Sequence, residues 1–249
     1  MADHGETERT LVRSDPSSAV SAVVAVIIPA HNEEASLPRV LEAIPKDCVN
    51  SVIVVDNGST DATARVAREH GAVVVSEPKR GYGYACLAGI QEALQSDPDL
   101  LVFLDGDYSD YPEDMPELLD AIGRGNDLVI GSRMIGEREP GALLPQALFG
   151  NWLATLLIRI FWGYRFTDLG PFRAVKTESL LRMKMSDGTY GWTVEMQIKA
   201  AKLGMICTEV PVRYRKRIGV SKVTGTVSGT IKASWKILYT IFRSLFANV

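Results

Sequence analysis

Cysteine is scarce in this sequence. The chain of 249 residues contains three, Cys48, Cys86 and Cys207, which lie far apart and lack the close spacing of metal-ligand pairs. A disulfide framework or a zinc site is therefore not expected, and the pattern indicates buried free thiols in a reducing compartment. An apolar N-terminal segment is also missing. Residues 1–20 mix charges with serine and proline, which is typical of a disordered tail and not of a signal peptide, so we expect a cytoplasmic protein.

Positive charge is not in excess. Lysine and arginine together number 27 against 30 aspartate and glutamate residues, and the formal net charge is -3 at pH 7. Domains that bind nucleic acid generally carry a basic patch or stripe. Nucleic acid is therefore not expected as a partner.

A long, uninterrupted apolar run is absent from the middle of the chain. Residues 147–166 approach the roughly 20 residues of a membrane span, but Asn151 and Arg159 interrupt them. Polar and charged groups are costly inside a bilayer. We interpret this segment as an amphipathic or interfacial helix, with a plain core helix as the alternative.

Short apolar runs alternate with amphipathic stretches from residue 21 onward. Such alternation is typical of β-α-β units around a mainly parallel sheet, and it predicts an α/β fold with flanking helices. We expect one domain over residues 21–224, followed by a helix within residues 225–249. Strands are predicted at residues 23–28, 51–55, 72–76, 100–104, 128–131 and 206–214, and helices from Leu37 to Pro45 and at residues 61–70, 84–95, 112–123, 147–166, 192–203 and 227–246.

Two carboxylates follow the predicted strand at residues 100–104. Asp105 and Asp107 stand one residue apart at the end of the apolar run LLVFL. Ligands of α/β sheets collect at the carboxyl ends of the strands, and Mg²⁺ typically combines one or two carboxylates with substrate phosphates. The pattern favours a site for a metal and a diphosphate, with a solvated turn as the alternative.

Other predicted strands also end in polar residues. Asp56 is followed by Asn-Gly-Ser-Thr, in which Gly58 permits a tight turn and Ser59 or Thr60 is expected to cap the next helix. As a functional residue, Asp56 would accept hydrogen bonds from a base or a ribose; otherwise it is a turn aspartate. The first strand is followed by Asn-Glu-Glu at residues 32–34, so acidic groups dominate this edge of the predicted sheet.

Six motifs in order make the sequence similar to family two glycosyltransferases of the GT-A fold, and especially to the dolichol- or polyprenyl-phosphate sugar synthases. The similarity spans residues 21 to about 222. It implies a nucleotide-sugar donor, a polyprenyl phosphate acceptor and a divalent metal, Mg²⁺ or Mn²⁺. The motifs are VIIPAHNEE at residues 26–34, VIVVDNGSTD at 52–61, FLDGD at 103–107, GSR at 131–133, DLGPFRA at 168–174 and GVSK at 219–222.

The resemblance also implies roles for individual residues. It places a nucleoside pocket at the ends of the first two strands, the metal at the Asp-x-Asp motif, and a basic loop over the diphosphate. The residues concerned are Pro29, Asn32, Glu33 and Asp56 for the nucleoside, with Lys79 or Arg80 nearby; Asp105, Gly106 and Asp107 for the metal-bound donor; Arg133 for a phosphate of the acceptor or donor; Arg173 for substrate; and Arg215, Lys216, Arg217, Ser221 and Lys222 for the closing loop.

The chain departs from the family pattern around the nucleotide. The usual tyrosine before the first asparagine is His31, and the second aspartate after the second strand is Asn57. The glutamine common two residues past the Asp-x-Asp motif of the dolichol enzymes is Ser109.

Further departures concern the acceptor and the closing loop. An arginine often found before the apolar helix is Gln146, and Ser-Gly-Phe-Arg is replaced by Gly-Pro-Phe-Arg at residues 170–173. The arginine usual three residues before the loop glycine is Lys216, flanked by Arg215 and Arg217, which can replace it electrostatically.

A catalytic base is needed only for some acceptors. A phosphate oxygen is already ionised, whereas a hydroxyl must lose its proton to a nearby carboxylate. Glu195 is the first candidate for such a base and Asp168 the second. The alternatives are a glutamate on a helix surface and a structural aspartate bonded to backbone or to Arg173. The resemblance implies in-line attack with inversion at the anomeric carbon.

The C-terminal segment predicts an amphipathic helix at residues 227–246. An apolar stripe runs along it with basic residues at its edge, which suits contact with an anionic membrane surface. Docking onto the domain or onto a second subunit, as in a homo-oligomer, is the alternative. The stripe consists of Ile231, Trp235, Leu238, Phe242 and Leu245, and the basic residues are Lys232, Lys236 and Arg243.

Three functional hypotheses follow. The leading one is transfer of a hexose from UDP or GDP to a polyprenyl phosphate by a protein peripheral to the cytoplasmic membrane face. The second is the same transfer to a small soluble hydroxyl acceptor. The third is a nucleotide-sugar-binding protein without catalytic activity.

Overall fold

The computed structural model describes residues 22–219 and 227–247. Strands and helices alternate through this part of the chain, as the apolar pattern predicts. The strands are β1 (Val24–Ala30), β2 (Ser51–Asp56), β3 (Val73–Ser76), β4 (Leu100–Phe103), β5 (Leu128–Ser132), β6 (Arg173–Lys176) and β7 (Cys207–Pro211). The helices are α1 (Leu37–Ala43), α2 (Thr63–Glu69), α3 (Tyr82–Ala93), α4 (Met115–Gly123), α5 (Pro145–Trp162), α6 (Thr177–Met183), α7 (Trp192–Lys202) and α8 (Val227–Phe246).

The strands form one sheet in the order β3-β2-β1-β4-β6-β5-β7. All neighbouring pairs are parallel except those of β6, which runs antiparallel to both β4 and β5. The predicted α/β fold with a mainly parallel sheet is confirmed. The antiparallel strand β6 and the helix α6 that follows it are additions to the predicted elements.

Strand β1 extends two residues beyond its predicted end and includes Pro29. The pairing of β1 with β4 ends at Ile27 and Phe103, whereas its pairing with β2 continues through Pro29 and Ala30. Proline has no N–H to donate, but beyond Ile27 the ladder on the β4 side has already ended. The extension carries Pro29 to the sheet edge, where ligands are expected.

Two apolar layers cover the faces of the sheet because successive side chains of a strand point to opposite sides. Ile27 packs with Phe103 and Trp192 on one face, and Ile28 packs with Leu104 on the other. The rings of Phe103 and Trp192 lie 5.9 Å apart, centroid to centroid. Burial of such side chains contributes roughly 1.5–3 kcal/mol each, so the sheet is a rigid support for the loops at its edge.

Helix α5 has apolar side chains on both its buried and its exposed face. Asn151 lies on the buried face, where its amide donates to the carbonyl oxygen of Thr167 at 2.8 Å and accepts from the N–H of Leu169 at 2.8 Å. Trp152 and Ile160 lie on the exposed face. Within residues 22–219 and 227–247, no helix has both the length and the apolar character that crossing a membrane requires.

Candidate functional site

A cleft of about 320 Å³ opens at the carboxyl ends of β1, β2 and β4. This is the position at which ligands bind to open α/β sheets. The loop between α6 and α7 supplies the opposite wall. The residues lining the cleft are Pro29, Ala30, His31, Glu33, Asn57, Arg80, Gly81, Tyr82, Ala85, Asp105, Gly106, Asp107, Thr189, Tyr190 and Arg217.

The two carboxylates of the Asp-x-Asp motif both line this cleft. Asp107 is 2% exposed, and its Oδ1 accepts hydrogen bonds from the backbone N–H of Ser109 at 2.9 Å and from the Ser109 hydroxyl at 2.5 Å. Its Oδ2 forms an ion pair with Arg217. Ser109, where the dolichol enzymes have glutamine, thus fixes one oxygen of Asp107.

Asp105 is half-buried beside Asp107. Burial raises the pKa of its carboxyl group above the ordinary value, while the nearby Arg217 and Arg133 lower that pKa and the charge of Glu33 raises it. A buried carboxylate favours its charged form when a cation is close. The cleft therefore holds acidic oxygen ligands whose ionisation depends on neighbouring positive charge.

These residues suit a hard divalent cation. Mg²⁺ and Mn²⁺ prefer oxygen ligands, and Mg²⁺ commonly takes one or two carboxylates together with phosphate oxygens and water. Among the residues that the structure describes, no group of three or more histidine, cysteine, aspartate or glutamate side chains is arranged to bind a metal. Asp105 and Asp107 can supply two oxygen ligands, and phosphate oxygens and water would supply the remaining ones.

Asn57 organises the next part of the cleft. Its side-chain NH₂ donates to the carbonyl oxygens of Glu77 and Lys79, both at 2.8 Å, and its Oδ1 accepts from the N–H of Gly81 at 2.8 Å. An aspartate at this position, as in the family pattern, has no amide hydrogens to donate. Asparagine therefore holds residues 77–81 against the end of β2.

His31 and Arg80 form a basic wall of the cleft. The guanidinium nitrogens Nη1 and Nη2 lie 2.9 Å and 2.5 Å from Nδ1 and Nε2 of His31. Arg80 also donates to the carbonyl oxygen of Gly58 at 2.7 Å, which fixes its direction. The wall therefore presents an oriented arginine to any ligand phosphate in the cleft.

The loop at residues 184–191 closes the other side with Thr189 and Tyr190. The N–H of Tyr84 donates to the carbonyl oxygen of Gly188 at 2.9 Å. A Cβ atom at Gly83 would lie 1.9 Å from the carbonyl oxygen of Asp187, so only glycine permits this approach of helix α3 to the loop. The wall is thereby held at close range to the helix that carries Tyr82 and Ala85.

Seven of the residues predicted to bind substrate or metal line the cleft. They come from strand β1 and the loop after it, from the loops after β3 and β4, and from the segment after β7, which are far apart in the sequence. They are Pro29, Glu33, Arg80, Asp105, Gly106, Asp107 and Arg217.

Asn32 and Asp56 are placed near the cleft but are not among the residues that line it. Asn32 has a φ of +54° and bridges to the second loop: its N–H donates to the Ser59 hydroxyl at 3.0 Å, and its Oδ1 accepts from the N–H of Thr60 at 2.8 Å. Asp56 accepts from the N–H of Ser59 at 2.9 Å. The prediction that Ser59 or Thr60 caps helix α2 is wrong: Asp61 accepts the N–H of Thr63, the first residue of the helix, at 3.0 Å.

Arg133 and Asp168 form a pair outside the cleft lining. Asp168 accepts from Nε and Nη2 of Arg133, both at 2.7 Å, and from its backbone N–H at 2.9 Å. Burial alone would raise the pKa of Asp168, but Arg133 outweighs it and the pKa lies below the ordinary value. Of the two descriptions of Asp168, base or structural aspartate, this geometry corresponds to the second, with Arg133 as the bonded partner.

Glu195 is also engaged away from the cleft lining. Its carboxylate accepts from the Ser186 hydroxyl and the N–H of Asp187, both at 2.8 Å, and pairs with Lys199 at 2.9 Å. It is buried on helix α7 and is not the surface glutamate of the alternative interpretation. These contacts hold the start of the loop that carries Thr189 and Tyr190.

The other predicted residues occupy separate positions. Arg173 is fully buried, donates to the carbonyl oxygens of Gly170 and Thr193 at 3.1 Å, and has its pKa lowered to about 10 by burial. The ammonium of Lys79 lies 3.9 Å from the ring centroid of Tyr84. Lys216 is exposed, and Arg215 stacks on tyrosines. Ser221 and Lys222 lie outside the described residues.

Two groups near the site have no signal in the linear motifs. Asp110 is 1% exposed, and neither of its carboxylate oxygens forms a hydrogen bond within the described residues. Burial and the charge of Asp105 raise its pKa to about 7, despite the nearby Arg133. Tyr82 lies against Asp105 and lowers the pKa of that carboxyl group. In the sequence, the position of Tyr82 directly after Gly81 at the start of helix α3 is the feature that indicates its place at the site.

Solved structures share this fold. Glucosyl-3-phosphoglycerate synthase from Mycobacterium tuberculosis, in complex with Mn²⁺, UDP-glucose and phosphoglyceric acid, matches with a TM-score of 0.70 and 22% sequence identity, over 92% of this chain and 81% of that chain. The fold is thus that of the GT-A glycosyltransferases.

Sequence comparison shows the family. An uncharacterized glycosyltransferase of Mycobacterium tuberculosis is 37% identical over 226 residues, which cover 86% of this chain and 97% of the relative. Undecaprenyl-phosphate mannosyltransferase of Micrococcus luteus is 35% identical over 226 residues, which cover 83% of this chain and 89% of the relative. The model of glycosyl transferase family 2 matches residues 25–182. The chain belongs to glycosyl transferase family 2.

Proposed function

We propose that this glycosyltransferase transfers a hexose from a UDP- or GDP-linked donor to a polyprenyl phosphate, with Mg²⁺ or Mn²⁺ bound by Asp105 and Asp107. The observation that carries the proposal is that these carboxylates share one cleft with Arg80 and Arg217. Carboxylates bind divalent cations, and guanidinium groups bind phosphate oxygens. This combination suits a nucleoside diphosphate. The Mn²⁺ and UDP-glucose bound by the structurally similar synthase support it.

Bond cleavage leaves negative charge on the departing diphosphate and positive charge at the anomeric carbon. A bound divalent cation would neutralise part of the negative charge, a contribution of several kcal/mol. The chain supplies further positive charge through Arg80 and Arg217, of which Arg80 is held in place by Gly58. Groups that are already oriented need no reorganisation during the reaction. Attack from the opposite face would invert the anomeric configuration.

Both carboxylates predicted as bases are held by other residues, which favours an ionised acceptor over a hydroxyl. Attack by a hydroxyl needs a carboxylate within reach to take the proton. Asp168 is paired with Arg133, and Glu195 is bonded to residues 186 and 187. A phosphate oxygen needs no such base. The similarity to undecaprenyl-phosphate mannosyltransferase supports a polyprenyl phosphate in this role.

An exposed apolar surface on α5 and α8 fits a lipid acceptor. We call it the apolar strip; helix α8 turns Ala233 and Ile241 toward the domain and leaves Trp235 72% and Phe246 89% exposed. The two helices meet at Phe161 and Phe242, whose ring centroids lie 6.1 Å apart. Aromatic and basic residues together suit the headgroup region of an anionic membrane. The strip consists of Phe149, Trp152, Ile160, Phe161, Ile231, Trp235, Tyr239, Phe242 and Phe246, with Lys232, Lys236 and Arg243 on α8.

Nucleotide binding can be tested by thermal unfolding of the purified protein with UDP or GDP, with and without Mn²⁺. A ligand that binds only the folded state raises its apparent stability, by about 2.7 kcal/mol at one hundred times its Kd. We expect Mn²⁺-dependent stabilisation by one of the two nucleotides and its loss in Asp107→Ala. Asp120→Ala, an exposed aspartate on α4, is the matched control and should respond like wild type.

The acceptor is tested in a separate transfer assay. Its donor is the labelled nucleotide sugar of whichever nucleotide, UDP or GDP, stabilises the protein. We expect labelled hexose to appear on undecaprenyl phosphate and not on phosphoglyceric acid. Transfer to the small acceptor alone would favour the soluble reaction, and binding without any transfer would favour a catalytically inactive protein. Equal nucleotide stabilisation of wild type and Asp107→Ala would contradict the proposed site.

A further inference from the structure

The segment after β7 runs along the loop that carries the acidic pair. The N–H of Ile218 donates to the carbonyl oxygen of Asp107 at 3.0 Å, and the N–H of Arg215 donates to that of Ser109 at 2.9 Å. The Arg215 side chain fills the alternate positions: Nε donates to the carbonyl oxygen of Tyr108 at 2.7 Å and Nη2 to that of Asp110 at 3.0 Å. Four consecutive carbonyl groups thus accept hydrogen bonds from residues 215–218.

Arg215 is also enclosed by two aromatic rings. Its guanidinium carbon lies 3.3 Å from the ring centroid of Tyr108 and 3.9 Å from that of Tyr111. Tyr108 has a φ of +64°, a left-handed conformation that is unfavourable for a bulky side chain. Such a conformation persists only where surrounding contacts impose it. The stack and the hydrogen bond from Nε supply those contacts directly after Asp107.

We infer that Arg215 is a positioning residue for the metal site. It fixes the backbone of residues 107–110 and joins that backbone to the segment that carries Arg217. The positions of the Asp107 carboxylate and the Arg217 guanidinium relative to each other are thereby fixed. This role differs from the contact with the diphosphate that the sequence resemblance implies for Arg215. The inference rests on the proposed function, because the geometry matters only if Asp107 binds a cation.

The planar guanidinium is essential to this arrangement. It donates through Nε and Nη2 to two carbonyl oxygens while it contacts the rings of Tyr108 and Tyr111. A lysine retains the charge, but its ammonium cannot reach the Tyr108 and Asp110 carbonyls and keep both ring contacts at the same time. Arg215→Lys therefore removes the positioning with little change in net charge.

Arg213 offers a matched control on the same segment. It stacks on Tyr111 at 4.4 Å and donates to Asp114 through Nε at 2.9 Å. Among the described residues, it has no hydrogen bond to the carbonyl groups of residues 107–110. Arg213→Lys makes the same chemical change two residues away and leaves the hydrogen bonds to the carbonyl groups of residues 107–110 and the contact of Arg215 with Tyr108 in place.

The experiment is calorimetric titration of Mn²⁺ into the full-length protein with the nucleotide that stabilises wild type. We expect Arg215→Lys to weaken Mn²⁺ binding at least about tenfold, the effect of roughly 1.4 kcal/mol, and Arg213→Lys to stay within about twofold of wild type. Excess Mn²⁺ should restore transfer by Arg215→Lys but not by Asp107→Ala. If Arg215→Lys does not fold, Tyr108→Leu replaces it in the experiment. This variant keeps the backbone carbonyl but loses one ring, and it should also weaken Mn²⁺ binding.

The outcomes separate the two proposals. If wild type binds Mn²⁺ with nucleotide and the Arg215 and Tyr108 variants bind it equally well, the positioning role is wrong and the proposed function stands. An equal loss in Arg213→Lys would also overturn the role, because the effect would belong to the whole segment. If wild type shows no Mn²⁺-dependent nucleotide binding, the proposed function fails, and the positioning role fails with it.

Discussion

The Asp168 carboxylate lies 2.7 Å from the Arg133 guanidinium, Oδ1 to Nη2, and Asp168 has no exposed surface. Arg133 was a predicted phosphate ligand and Asp168 a predicted base, yet the structure joins them to each other. Their mutual attraction holds the pKa of Asp168 down against the effect of burial. The pair therefore contributes to stability beside the site, whichever ligand Arg133 contacts in addition.

Asp168→Asn is expected to lower the free energy of unfolding by about 3–5 kcal/mol, since it leaves a buried guanidinium without its carboxylate. Urea unfolding at pH 7 measures the loss. The control is Glu69→Gln, which breaks the exposed pair of Arg65 and Glu69 and should cost no more than about 1 kcal/mol. Because the pKa of Asp168 is lowered by folding, its contribution is present above the unfolded-state pKa and disappears as the pH falls. Similar losses in the two variants would contradict the special role of this pair.

Asp110 should make stability depend on pH in the opposite sense. Its pKa is raised to about 7 in the folded protein, so the native state binds more protons than the unfolded state between roughly pH 4 and pH 7. Its contribution falls as the pH rises through this range, by at most about 1.4 kcal/mol per pH unit, and then levels off. Asp110→Asn removes this dependence. The unfolding midpoint of Asp110→Asn relative to wild type should therefore rise between pH 5 and about pH 7 and then stay constant to pH 8. For the control Asp120→Asn, the midpoint should follow that of wild type at every pH. The same behaviour in Asp110→Asn would disprove the raised pKa of Asp110.

Glu195→Gln should reduce stability without changing the acid limb of the rate profile. The amide has one acceptor oxygen where the carboxylate has two, so hydrogen bonds from Ser186 and Asp187 are weakened, at a cost of about 1–3 kcal/mol. Transfer rates measured from pH 5 to pH 9 test this, with Glu178→Gln on helix α6 as the exposed control. Loss of the acid limb in Glu195→Gln alone would instead identify Glu195 as the base.

Trp235→Ser should weaken membrane binding about tenfold, in line with burial of a large apolar side chain. Sedimentation with vesicles of equal parts phosphatidylcholine and phosphatidylglycerol measures it. Ile206→Ser, an exposed apolar residue outside the apolar strip, should bind like wild type. If the wild-type protein does not bind these vesicles and is dimeric, while Trp235→Ser is monomeric, the apolar strip is a subunit interface.

Local patterns predicted most of the first half of the fold. Apolar runs mark the strands there, and Pro45 and Gly71 mark the ends of the helices between them. Strand β6 is different: four residues after Gly-Pro, inserted antiparallel between β4 and β5 through contacts with residues some 70 and 45 positions earlier in the chain. The sequence of β6 is RAVK, with a charged residue at each end, so no apolar run marks this strand. Helix α6 follows β6 directly.

The site was predictable where chemistry requires particular residues in a short motif. Asp105 and Asp107 are recognisable because two carboxylates follow one strand. Thr189 and Tyr190 carry no such mark, since only the close approach of Gly83 to residue 187 brings them to the cleft. For Arg215, the sequence indicates positive charge but not the two rings that enclose it. Predictions of where a side chain points fail when the partner is distant in sequence.

Asp187 connects a wall of the cleft to helix α8. Its Oδ1 accepts the N–H of Thr189 at 2.8 Å, and its Oδ2 lies 2.7 Å from the Lys236 ammonium of helix α8. A shortened protein without α8 would leave this buried carboxylate without its counter-ion, directly behind a wall of the cleft. Compounds selected against such a fragment would be fitted to a different shape, so inhibitor screening requires a protein that retains helix α8.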